Sequence, residues 1–112
     1  MNYPESVIIT GTFRTRMVWI NGEHLSPEAS QKIRNHSPDG FNWGYSGSGP
    51  SQLALAILLY CTDESSAQKF YQQFKFQYVA SWKQASDFKV ELNIKKIIDE
   101  YRTNFPSDKH TG

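Results

Sequence analysis

The pattern of hydrophobic positions at the start of the chain predicts a β-hairpin and a short helix. Residues 6–13 and 16–20 carry β-branched and aromatic residues, which is typical of strands, and residues 23–25 form a third run, a short return strand. Asn21-Gly22, between the last two runs, is the strongest two-residue hairpin signal. Ser26 and Pro27 suit the N-cap and first position of a helix that we expect to end near Asn35.

The middle of the chain predicts a turn, an aromatic strand and an apolar helix. Residues 37–40 carry Pro, Asp and Gly where a type I turn prefers them. In residues 41–45 three aromatic residues alternate with Asn and Gly, so a strand would place all three rings on one face. We expect a helix to begin at Pro50 with Gly49 as N-cap. Its body, residues 53–61, is apolar on every side, which predicts a buried central helix.

The last third predicts two amphipathic helices separated by a hairpin. Residues 62–74 begin with a capping Thr-Asp-Glu and carry apolar residues at helical spacing. Apolar residues then recur at every second position in residues 74–82 and again in 88–92, which we interpret as paired strands. Asn93 can cap a final helix with one apolar stripe over residues 94–105.

These elements together predict an α+β fold. Its antiparallel sheet would be built from an N-terminal and a C-terminal hairpin, packed on the central helix of about residues 50–61 and on two amphipathic helices. A chain of 112 residues fits one domain. We place that domain at residues 1–105 and expect a flexible tail over 106–112.

Composition and charge exclude several classes of function. The formal charge of +1, with acids and bases interleaved, gives no basic stripe for duplex DNA. The single Cys61 cannot form an internal disulfide, and we find neither a secretory segment nor an apolar run that could span a membrane. We therefore expect a cytoplasmic protein. His24, His36 and His110 lack the spacing of metal ligands, so we expect no metal and no cofactor.

A Gly/Ser loop that runs into the central helix is the candidate binding site. It lacks the Lys-Ser/Thr of a P-loop and the glycine spacing of a dinucleotide site. A helix start nevertheless offers N–H groups and a positive dipole end to an anion, and neighbouring rings can stack on a base. The candidate ligand-binding residues are Arg34, His36, Trp43, Tyr45, Ser46, Gly47, Ser48, Gly49, Ser51 and Gln52. A nucleotide or other phosphorylated small molecule is the expected ligand.

Two alternatives stay open for the same residues. The glycines can serve only to let the loop pass close to the helix, and the rings can belong to the core. An enzyme, a small hydrolase or transferase, would use His36 with Asp39 or Tyr45. Because catalytic partners normally converge from distant parts of a fold, we expect no enzyme and assign no catalytic residue.

The same stretch resembles the signature of a small uncharacterised domain family carried by phages, plasmids and other mobile elements. The matching positions are His36, Ser37, Pro38, Gly40, Phe41, Trp43, Gly44, Tyr45, Gly47, Ser48, Gly49, Pro50 and residues 52–56. Ser46 and Phe88 depart from the glycine and tryptophan that members often carry at those positions.

The resemblance implies an accessory or anti-defence role in the cytoplasm of a host cell. One form of that role is a protein that sequesters a nucleotide signal. The other is an inhibitor or adaptor, similar to an anti-CRISPR protein, that covers a host defence protein through its Trp and Tyr side chains. The many aromatic residues also allow a homodimer.

Overall fold

The computed structural model describes residues 3–104, which form a four-stranded antiparallel sheet and four α-helices. The strands are β1 (Val7–Thr12), β2 (Met17–Ile20), β3 (Glu23–Leu25) and β4 (Phe88–Leu92). The helices are α1 (Glu28–Ile33), α2 (Ser48–Cys61), α3 (Glu64–Gln77) and α4 (Ile94–Asn104), with a 3-10 turn at Val79–Ser81. The predicted α+β class is confirmed. The predicted tail, residues 106–112, lies outside the described residues.

The sheet has the strand order β3-β2-β1-β4. Ile9 in the central strand β1 lies opposite Ile20 of β2 and Val90 of β4. The predicted hairpin between β2 and β3 is confirmed, since Asn21 and Gly22 both have positive φ, at 50° and 84°. Positive φ at both central residues is what a tight turn between twisted strands requires.

One face of the sheet packs on the helices, and the other faces solvent. Side chains of β1 alternate, so that Val7 and Ile9 are buried whereas Ile8 is exposed. The predicted buried central helix is confirmed as α2, in which Leu53 and Ile57 are fully buried. Burial around nearly the whole circumference makes α2 the centre of the core.

Helix α2 begins at Ser48, with Gly47 as N-cap, and not at Pro50 with Gly49 as N-cap. Pro50 therefore occupies the third helical position. Proline is tolerated there because the first-turn N–H groups have no partner within the helix. The predicted start was two residues late because proline at the first position is the commoner arrangement.

The predicted C-terminal hairpin does not form. Residues 74–77 continue α3, residues 79–81 form the 3-10 turn, and β4 pairs with β1. The alternating pattern was misleading because Phe74 and Tyr78 also continue the helical stripe from Phe70 at intervals of four residues. Phe76, which the strand interpretation needed on the same face, is 60% exposed.

The predicted aromatic strand over residues 41–45 is also wrong, because this segment is a loop. Gly40 and Gly44 have φ of 107° and 86°, values that break an extended strand and that L side chains rarely adopt. The Gly44 N–H donates to the Val79 carbonyl at 3.0 Å instead of joining a strand ladder. Gly40 and Gly44 thus let the segment fold back against the 3-10 turn that follows α3.

Candidate ligand-binding groove

An open groove lies where the β1–β2 turn, the loop before α2 and the first turn of α2 meet. Its volume is about 360 Å³. The lining residues are Arg16, Ser37, Asp39, Gly40, Phe41, Asn42, Tyr45, Ser48 and Gly49. We call this feature the α2 groove. It combines a cation, a helix N-terminus, an acid and an exposed ring.

The first turn of α2 supplies free N–H groups to the α2 groove. The Ser51 N–H donates to the Gly47 carbonyl at 3.0 Å, and Pro50 has no N–H. Ser48 and Gly49 therefore carry the first-turn N–H groups that have no intrahelical acceptor, next to the positive end of the helix dipole. Ser51, one of the candidate ligand-binding residues, therefore has no free backbone N–H to offer a ligand.

Arg16 is the cation of the groove, and sequence reasoning missed it. Its Cζ lies 3.8 Å from the centroid of the Phe13 ring, and its Nη1 donates to the Phe13 carbonyl. These two contacts hold the guanidinium while its other N–H groups keep their donor capacity. Arg16 lies in the β1–β2 turn, far in sequence from the Gly/Ser loop, so only the tertiary fold brings it to the groove.

Tyr45 and Asp39 contribute the ring and the acid. The Tyr45 side chain is 37% exposed and lies against Gly47, where an added Cβ would stand 2.6 Å from the ring. Asp39 lines the same groove with a carboxylate that can accept hydrogen bonds from hydroxyl or amino groups. The groove is therefore mixed in charge, with donors and an acceptor side by side.

Trp43 belongs to the core and not to the groove. It is fully buried, and its Nε1–H donates to the Ser86 carbonyl at 2.8 Å. Its ring meets Phe88 edge to face with the centroids 4.7 Å apart. Phe41 is also buried, at the base of the groove. Of the three alternating rings, only Tyr45 is available to stack on a ligand.

Two glycines of the loop have a packing role. A Cβ on Gly49 would lie 2.7 Å from the Cβ of Asn42, and one on Gly44 would lie 2.5 Å from the backbone of Gln84. Real side chains do not tolerate such distances. The packing explanation for these glycines is therefore supported, and it is compatible with Gly49 also lining the groove.

Arg34 and His36 lie against α3 and not among the residues that line the α2 groove. The Nε of Arg34 donates to Oε1 of Gln68 at 3.2 Å, and Nε2 of His36 lies 2.7 Å from the Tyr71 hydroxyl. Burial, followed by the positive charges of Arg34 and Lys75, lowers the pKa of His36. A neutral imidazole bound to Tyr71 fits a structural role.

Gln52 holds the loop that carries His36. Its side chain is fully buried on α2, where Oε1 accepts from the N–H groups of His36 at 2.7 Å and Ser37 at 2.9 Å. Its Nε2 donates to the Ser30 hydroxyl at 2.9 Å and to the Arg34 carbonyl at 3.0 Å. A glutamine amide can accept two hydrogen bonds and donate two, and all four are used here. The side chain of Gln52 is therefore committed to the fold.

Among the described residues, no hydrogen bond joins His36 to Asp39 or Tyr45, the partners of the hydrolase alternative. His36 contacts Tyr71, whereas Asp39 and Tyr45 line the α2 groove. Burial raises the pKa of the Cys61 thiol to about 12, which makes it a poor nucleophile. Within residues 3–104, no group of three or more His, Cys, Asp and Glu side chains is placed to hold a metal ion. None of the helices in this range has the length and apolarity needed to cross a membrane.

Fold and groove define a small α+β protein with a central buried helix whose first turn opens on a surface groove. Residues 9–103 match the family of unknown function DUF6166, and the chain belongs to that family. No curated protein and no solved structure matches the chain significantly.

Proposed function

We propose that this protein is a non-enzymatic binding protein that holds a nucleotide or another phosphorylated small molecule in the α2 groove. The observation that carries the proposal is the convergence of the Arg16 guanidinium with the free N–H groups of Ser48 and Gly49 in one groove. A cation and a helix N-terminus are two independent stabilisers of a phosphate.

The remaining lining residues favour a nucleotide over inorganic phosphate. Tyr45 offers an exposed ring for stacking on a base, and the Ser48 hydroxyl can add a hydrogen bond to the phosphate. Asp39 would repel a second phosphate but can accept a hydrogen bond from a ribose hydroxyl or an amino group. A ligand with one phosphate near α2 and a sugar or base near Asp39 and Tyr45 suits this arrangement best.

The biological setting we propose is the one that the family resemblance implies, an accessory protein of a phage or other mobile element. Binding without turnover would let such a protein sequester a nucleotide signal of host immunity in the cytoplasm. This role depends on the ligand proposal, and identification of the ligand tests both.

A thermal-shift screen against inorganic phosphate, nucleoside monophosphates, dinucleotides and cyclic oligonucleotides tests the proposal. A ligand at 100 times its Kd raises apparent stability by about 2.7 kcal/mol. Replacing Arg16 by Gln removes a charged donor worth about 1.5–3 kcal/mol, so we expect the Kd to rise about ten- to a hundredfold.

Arg14→Gln is the matched control, because Arg14 is exposed in the same turn but does not line the groove. Substitution of Gly49 is unsuitable, since a Cβ there would clash with Asn42. Equal binding by the Arg16→Gln and Arg14→Gln variants would contradict the assignment of the ligand to the α2 groove. No stabilisation by any member of the panel would contradict the proposed function.

A second candidate function is an inhibitor that covers a host defence protein. It is favoured by the solvent face of the sheet, where Ile8 and Met17 are 40% and 41% exposed. Exposed apolar side chains on one face are a common feature of protein interaction sites. A pull-down from host extract in which Ile8→Lys abolishes recovery of a stoichiometric partner would support this candidate. Equal recovery by the wild type and the variant would contradict use of this face.

A further inference from the structure

The sheet ends in two edge strands, β3 and β4. Edge strands present unpaired N–H and C=O groups that can pair with another chain. β3 is only three residues long and is followed closely by Pro27, which limits pairing there. β4 has five residues, Phe88–Leu92, and is the longer open edge.

Hydrogen bonds in the β1–β2 hairpin determine which way the backbone of β1 faces. The Asn21 N–H donates to the Ile8 carbonyl at 2.8 Å, so the backbone groups of Ile8 face β2. Because these groups alternate along an antiparallel strand, those of Ile9 face β4. Phe13 is four residues after Ile9, so its backbone groups should face the same side. Its N–H does donate to Oδ1 of Asp87, just before β4.

The same alternation shows which groups of β4 are free. Val90 lies opposite Ile9, so its N–H and C=O face β1. The N–H and C=O groups of Lys89 and Glu91 therefore point away from the sheet along the open edge. Both side chains are exposed and stand on the solvent face, since Glu91 lies opposite Ile8.

This edge is complementary to itself. When two β4 strands run antiparallel about a twofold axis at Val90, Lys89 of each copy lies opposite Glu91 of the other. Each such pair can exchange two backbone hydrogen bonds, since the free groups belong to these two residues. The facing Lys89 and Glu91 side chains have opposite charge, and such cross-strand pairs stabilise a sheet. One Glu91 oxygen accepts from the Ser6 hydroxyl at 2.5 Å, and the other has no hydrogen-bond partner among the described residues.

We propose that β4 pairs with β4 of a second copy of this chain and so joins two sheets into one. On the helix-facing side, Val90 would meet Val90 of the second copy, with the half-buried Phe88 and Leu92 on either side. The α2 groove has no lining residue in β4, so pairing leaves it open. The homodimer and the ligand proposal can therefore be tested separately.

Sedimentation equilibrium from about 1 µM to about 1 mM, the range in which a small interface associates, tests the pairing. We expect the wild type to reach twice the mass of the 12.9 kDa chain. Lys89→Glu and Glu91→Lys each place like charges opposite one another twice, so each should raise the dimer Kd about tenfold or more. The double variant Lys89→Glu/Glu91→Lys restores opposite charges and should regain the wild-type Kd.

Two further variants complete the test. Lys89→Pro removes an N–H that faces away from β1, so it should abolish the dimer while the circular dichroism spectrum is retained. Lys96→Glu, an exposed change of the same charge on α4, should leave the Kd unchanged. A wild type that stays at the monomer mass throughout the range would overturn the proposal. A dimer that is insensitive to both single charge reversals would overturn it equally.

Discussion

Replacement of Gln52 by Leu tests the tertiary arrangement of the fold most sharply. Leu has a similar size, so the change removes polar atoms while it creates little empty space. Four hydrogen bonds are lost, to the backbone of His36, Ser37 and Arg34 and to the Ser30 hydroxyl. Each is worth about 1 kcal/mol net, and a partner left buried without water costs more.

The bond to Ser30 is buried, whereas the other three are partly buried and their loop partners can be rehydrated. We therefore expect a loss of about 3 kcal/mol in the free energy of unfolding, which corresponds to a fall in Tm of about 10–20 °C. Urea unfolding followed by tryptophan fluorescence and far-UV circular dichroism measures this loss. The control is Gln73→Leu on the exposed side of α3, which should change stability by less than about 0.5 kcal/mol. A loss below about 1 kcal/mol in Gln52→Leu would refute the assignment, since one ordinary hydrogen bond is worth that much.

Three further predictions concern packing, thiol reactivity and pH. Gly11→Ala would place a Cβ in steric overlap with the Phe88 ring, which is also held by Trp43 and Trp82, so urea unfolding should show a loss of about 1–3 kcal/mol. A neutral effect would contradict this packing. Because burial raises the pKa of Cys61 to about 12, a disulfide reagent at about pH 8 should label the thiol only after unfolding; labelling of the folded protein at the rate of a free thiol would contradict its burial. The folded state lowers the pKa of His36 below 6.5, so its contribution to stability is complete above that pH and is lost as the pH falls through the folded pKa. In His36→Gln the free energy of unfolding should therefore fall less between about pH 7.5 and pH 5 than in the wild type. An equal fall in the variant and the wild type would refute the role of His36.

Local signals in the sequence predicted the elements that depend on local chemistry. The β2–β3 turn is set by Asn21 and Gly22, which adopt positive φ at low cost. The buried helix α2 follows from its apolar residues alone, and the N-cap of α3 is an Asp63 side chain that accepts from the Ser66 N–H at 2.8 Å. None of these features needs a distant partner.

The errors concern features that depend on distant parts of the chain. Phe74 and Tyr78 satisfy both a two-residue and a four-residue spacing, and only the packing of α3 on α2 selects the helix. The partner of β4 is β1, about 80 residues earlier, so no local signal identifies it. Arg16 reaches the α2 groove for the same reason, while the predicted Arg34 and His36 are held against α3.

The candidate site was predicted in part. The sequence pointed to the start of the central helix, and Tyr45, Ser48 and Gly49 do line a groove there. Trp43, Ser51 and Gln52 are instead buried, because the side chains that suit a ligand site by type also fill cores and fix loops. Burial and hydrogen-bond capacity separate these two uses, and both require coordinates.

The most direct test of the ligand proposal is a titration of the ¹⁵N-labelled protein, followed by backbone amide shifts, with the nucleotide that gives the largest thermal shift. The account predicts saturable shifts of the Ser48 and Gly49 amides, accompanied by shifts of the Arg16 and Tyr45 amides. In Arg16→Gln the Ser48, Gly49 and Tyr45 amides should reach half-saturation only at about ten- to a hundredfold higher nucleotide concentration. Shifts confined to the region of Arg34, His36 and Tyr71, or no saturable shift at these four amides, would contradict binding in the α2 groove.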